Sequence, residues 1–62
     1  MAKNRRKYES YNVVADFGQV DEVFYDYRLA YEEYCKQRRY QHPATLYGIT
    51  FEGKPIVIRS AG

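Results

Sequence analysis

The residue types that carry covalent chemistry are sparse in this chain, and their spacing does not assemble them. Cys35 is the single cysteine and His42 the single histidine. A cysteine nucleophile needs a base that holds it as thiolate, and nothing in the pattern orients His42 toward Cys35, which reads as a buried, inert thiol. The same pair supplies only half of the roughly four ligands of a structural zinc site. Glu22 with Asp26, and Glu32 with Glu33, are the paired carboxylates available for acid–base work, yet their spacing makes them charges on a solvated helix face. Gly18, Gly48, Gly53 and Gly62 are isolated, so no glycine-rich loop is present to cradle a phosphate. A chain of 62 residues rarely encloses the roughly 300 Å³ that a substrate site requires. The expectation is a protein that is not an enzyme, with no catalytic residue, cofactor, metal or small-molecule substrate.

Chemistry of contact is better represented. The chain has 8 tyrosines, 3 phenylalanines and no tryptophan, and Phe24, Tyr25, Tyr27, Tyr31 and Tyr34 crowd into one segment. Tyrosine joins an apolar ring to a hydroxyl that needs a partner, which suits surfaces buried on binding. Tyr25 and Leu29 stand at i and i+4 on the helix face opposite the apolar arc, beside Arg28, Glu32 and Lys36. With Tyr40 near the helix end, Tyr25, Arg28, Leu29 and Glu32 form the candidate protein-binding stripe. The plainer reading is a surface pair worth about 0.2–0.5 kcal/mol of helix stability.

A second contact chemistry is nucleic acid. Lys3, Arg5, Arg6 and Lys7 form a basic tail, and Lys36, Arg38 and Arg39 gather near Tyr40. Flexible cationic arms neutralise phosphates and nearby aromatics stack on unpaired bases. The charge distribution weighs against it. The net +2 contains +4 from the tail, so residues 8–62 sum to −2.

These side chains must be positioned by very few elements. Residues 1–8 lack periodicity and are expected to form a flexible basic tail, ahead of a single domain over residues 9–62. Tyr11, Val13, Ala15 and Phe17 alternate with Asn12, Val14 and Asp16, the pattern of a half-buried strand with Val14 as one intruder. Asp16 or Gly18 then opens a helix reaching about Arg39. Val20, Val23, Phe24, Tyr27, Ala30, Tyr31, Tyr34 and Cys35 fall on one arc of it. Acidic residues early in that stretch, and Lys36, Arg38 and Arg39 late, complement the helix dipole. Pro43 stops it. Ala44 to Phe51 reads as a strand with Tyr47, Ile49 and Phe51 inward, and Lys54 to Arg59 as its hairpin partner. A two-residue Glu52-Gly53 loop sets Ile49 against Ile56 and Tyr47 against Ile58.

The fold class expected is therefore α+β: a small β-α-β-β domain, with a three-stranded, mainly antiparallel sheet and one helix packed on one face. The uncovered sheet face would carry Val14, Leu46, Val57 and Asn12, a surface able to meet its own copy.

Such a chain sits near the lower size limit for independent folding and needs a staple. With disulfide and zinc excluded, a second subunit is the expected one. The lone cysteine fits a reducing, cytoplasmic compartment. Neither a signal peptide nor a membrane-spanning run is expected. The leading expectation is a homodimeric protein-binding module of the inhibitor, adaptor or regulator type, directed at an unidentified protein partner. Its size and style resemble small proteins of phages and mobile elements, by analogy only. The alternative is a nucleic-acid-binding regulator using the tail and the basic helix end.

Overall fold

The computed structural model describes residues 7–62. The chain is α+β, with the element order β1 (Ser10–Ala15), β2 (Val20–Phe24), α1 (Tyr27–Arg39), β3 (Ala44–Ile49) and β4 (Pro55–Ala61). The sheet has four strands in the order β2-β1-β3-β4, and every pairing is antiparallel. Two hairpins thus flank one helix, and their first strands, β1 and β3, pair at the centre.

The expected three-stranded sheet and long helix are corrected by β2. Its Val20, Val23 and Phe24 fit a helical arc, but they equally fit a strand, and tertiary pairing decides between them. Asp16, Phe17 and Gly18 all take left-handed φ values of 55°, 56° and 90°. This folds the chain back so that Ala15 opposes Val20 and Tyr11 opposes Phe24. Phe17, expected inward, therefore stands in the loop, 88% exposed. The helix begins only after Asp26, whose extended backbone and carboxylate, accepting from the Arg28 N–H at 3.1 Å, make it the N-cap. No acidic residue occupies the first helical turn, contrary to expectation.

The C-terminus of α1 is closed by a Schellman arrangement. Gln41 adopts φ 66°, the Gln41 N–H donates to the Arg38 carbonyl at 2.8 Å, and the His42 N–H donates to the Gln37 carbonyl at 3.0 Å. Pro43 then directs the chain into β3.

The inward face of β3 is the opposite of the one expected. Val13 opposes Leu46, Ala15 opposes Ala44 and Tyr11 opposes Gly48, so the even positions of β3 share the core side with the odd positions of β1. Leu46 is fully buried instead of lying on the open face, while Tyr47 lies outward. Phe51 is exposed in the hairpin loop. That loop holds Phe51, Glu52 and Gly53, closed by the Thr50 N–H to the Lys54 carbonyl at 2.9 Å, one residue longer than expected. Near the turn, Gly48 opposes Ile56 and Tyr47 opposes Val57. A bulge at Ile58 restores the expected Leu46–Arg59 pair. Because ladder hydrogen bonds alternate, the Thr50–Lys54 bond leaves Pro55 at a non-bonded site, where its missing N–H is harmless.

Helix α1 packs across β1, β3 and β2. The core comprises Val13, Ala15, Ala30, Tyr34, Ala44 and Leu46. Among the described residues no buried side-chain polar atom lacks a partner.

Candidate functional site

Three surfaces emerge from this arrangement. The first lies between β2 and the outer side of α1. Phe24 and Leu29 supply the apolar lining, and Glu32, Glu33, Lys36 and Arg39 the charged lining, of a cleft of about 390 Å³. Leu29 is 46% exposed and Tyr25, in the bend preceding the helix, 69%. Arg28 and Glu32 face one another along the helix at 3.9 Å. The fold thus gathers Arg28, Leu29 and Glu32 on one face, with Tyr25 just ahead of its start. Tyr40 caps the far end of α1, roughly 20 Å away by the helical rise, and stacks edge-on against His42.

The charged lining is internally tied. Lys36 Nζ lies 3.0 Å from Glu33 Oε1, and Gln37 Nε2 donates to Glu33 Oε2 at 2.7 Å. Glu33 can only accept there, so Gln37 Oε1 is left to accept from His42 Nδ1 at 2.8 Å. Burial alone would push the Glu33 carboxyl up. The hydrogen bonds from Gln37 and Lys36, and the Lys36 charge, hold it below the ordinary glutamate value. The hydrogen bond to Glu33, and then its charge, raise Lys36 in return.

The second surface is a row of tyrosines on the other side of α1. Tyr8, Tyr11, Tyr27, Tyr31 and Tyr34 follow one another with ring centroids 5.9, 5.5, 5.9 and 6.3 Å apart. The Arg59 guanidinium lies over Tyr31 at 5.4 Å and Lys7 Nζ over Tyr8 at 5.6 Å. The hydrogen bond to Tyr27, and then electrostatic attraction to Tyr31, raise Arg59 above its ordinary value, and the hydrogen bond with Cys35 raises Tyr31. The Tyr8 ring lies flat on Gly48, where an added Cβ would meet its carbons at 2.7 Å. Sequence reasoning missed this contact. A glycine inside a strand was the available signal, since it marks close approach by another group.

The nucleic-acid candidates are divided by the structure. Lys3, Arg5 and Arg6 lie outside the described residues. Lys7 belongs to the tyrosine row. Lys36 is paired with Glu33, and Arg38 donates to the His42 carbonyl at 2.8 Å, so these two cations of the helix end are already engaged. Arg39 lines the first cleft.

The third surface is the open sheet face. Strand register aligns Val23, Asn12, Tyr47 and Val57 in one row and Asp21, Val14, Thr45 and Ser60 in the next. Asn12 Nδ2 donates to Asp21 Oδ1 at 2.8 Å. Leu46, expected on this face, is replaced there by Tyr47.

Among the described residues no group of three or more His, Cys, Asp or Glu is placed to hold a metal ion, and no helix is long and apolar enough to cross a membrane. Comparison with protein-family models, with curated proteins and with solved structures finds no match.

Proposed function

We propose that this chain is a non-enzymatic, cytoplasmic protein-binding module of the inhibitor, adaptor or regulator type. It docks a partner on the outer side of α1 and works as a homodimer. The observation that carries the reading is the β2–α1 cleft, which sets Phe24 and Leu29 among Glu32, Glu33, Lys36 and Arg39. Protein interfaces combine apolar anchors with polar groups in this way. Phe24 and Leu29 receive one apolar anchor from a partner, and the mixed charges penalise partners whose charges fall in the wrong order. Tyr25 and Arg28 extend the contact at the helix start. Affinity capture from a native lysate tests it, comparing wild type with Tyr25→Ala/Leu29→Ala. A protein retained through nuclease treatment and moderate salt by the wild type, and lost by the double variant, is the expected result. Equal recovery by both would exclude the cleft.

One observation favours the second reading, a nucleic-acid-binding regulator. Tyr8, seated on Gly48 under Lys7, adjoins Tyr11 at the head of a row that runs through Tyr27 to Tyr31 and Arg59, which interleaves cations with aromatic faces. Binding by that route weakens steeply with salt and disappears when residues 2–7 are deleted.

A further inference from the structure

The loop joining β1 to β2 holds the most exposed of the large apolar side chains described, Phe17 at 88%. Its backbone is left-handed, with φ 56°, a conformation that a bulky side chain adopts only under constraint. The constraint is visible. The Asp16 N–H donates to the Pro43 carbonyl at 2.9 Å, the Gly18 N–H to the Ala15 carbonyl at 3.1 Å, and the Gln19 N–H to the Asp16 carbonyl at 3.0 Å. The ring is thus held out in water by a pinned loop and does not fold back on the core.

Phe17 itself borders an open groove of about 510 Å³, whose other walls are Val14, Thr45 and Ser60 of the open sheet face and Pro43 and Ala61 at the strand ends. No side chain lining it carries a charge. At one end the Gly62 and Pro43 backbones are close-packed, since a Cβ on Gly62 would stand 2.6 Å from Pro43 Cα.

We propose that Phe17 anchors a symmetric dimer in which each copy's ring enters the groove of the other. A second copy is the occupant that this geometry fits. A two-fold contact requires one patch to carry both complementary halves, and here knob and groove adjoin. With no charged side chain in its lining, the groove lets two copies meet there without a facing pair of like side-chain charges. The patch also continues into Val14, Tyr47 and Val57 of the same sheet face. These add apolar area toward the roughly 800 Å² per partner that a stable interface buries. The proposal rests on the homodimer part of the function proposed above and leaves the β2–α1 cleft free for a partner.

The test is sedimentation equilibrium of the full chain over a wide concentration range, for wild type, Phe17→Gly and Ser60→Glu. Phe17→Gly removes the ring and suits the left-handed backbone. Ser60→Glu keeps the ring and puts a carboxylate in the socket. Wild type is expected to dimerise, and both variants to weaken the dimer at least tenfold with unchanged circular dichroism. Phe17→Gly should also melt no lower than wild type in dilute solution, where both are monomers. A wild type that stays monomeric overturns the proposal, as does a dimer that survives both substitutions. Should Phe17→Gly fail to fold, Ser60→Glu decides alone. Partner capture by the same variants separates the two claims, because losing the dimer leaves the cleft intact.

Discussion

Gly48 and Tyr8 show how single residues fix what surrounds the candidate surfaces. The ring occupies the space where any other residue at position 48 would place its Cβ. Gly48→Ala should therefore expel Tyr8 and cost about 1–3 kcal/mol in chemical denaturation. Tyr8→Ala should make the second change nearly harmless, so a double-mutant cycle will show strong coupling. Additive losses would mean that the contact does not form. Glu33 makes a different residue-scale prediction. Its carboxyl is held below the ordinary value, so its contribution is present above the unfolded glutamate value, about 4.3. It is lost as pH falls through the lower native value. Thermal melts between neutral and acid pH should show a loss that Glu33→Gln flattens.

At the scale of elements, the chain's helix end was legible and its beginning was not. Lys36, Arg38, Arg39 and then Pro43 mark the stop, and the structure closes α1 there with Gln41 in a left-handed cap. Gln41→Gly relieves that strain and should raise the urea midpoint by about 0.5–1 kcal/mol equivalent. Val20–Phe24 was ambiguous for a physical reason. Over five residues, Val20, Val23 and Phe24 satisfy a helical arc, while Val20, Glu22 and Phe24 satisfy an inward strand face. Only pairing with β1 separates them. Strand β3 was ambiguous in parity, because Leu46 on one face and Tyr47 with Ile49 on the other are both apolar. Its register on β1 buries Leu46. The stripe of Arg28, Leu29 and Glu32 could be read directly, since these residues lie within a helix under either account. Phe24 as part of the cleft could not, because it belongs to the strand that was missed. Nor could Phe17, which continues the alternation of β1 until the loop turns it out.

For the whole molecule, the deciding quantity is the size of the core. Leu46 and Val13 are the largest fully buried side chains, while Tyr25, Leu29, Tyr40, Phe51, Ile56 and Val57 remain exposed. A domain this small gains only about 3–5 kcal/mol from its core. Leu46→Ala, costing about 2–5 kcal/mol, should leave the chain largely unfolded in circular dichroism at room temperature. Exposed apolar side chains on so slight a core suit a protein completed by partners, and the proposed docking site is the β2–α1 cleft. The direct test is the affinity of the captured protein for wild type and for Tyr25→Ala/Leu29→Ala, at low and at raised salt. The account predicts a loss of at least about 2 kcal/mol in the double variant and little change with salt. Equal affinity for both proteins, or binding that collapses with salt and with deletion of residues 2–7, would contradict it.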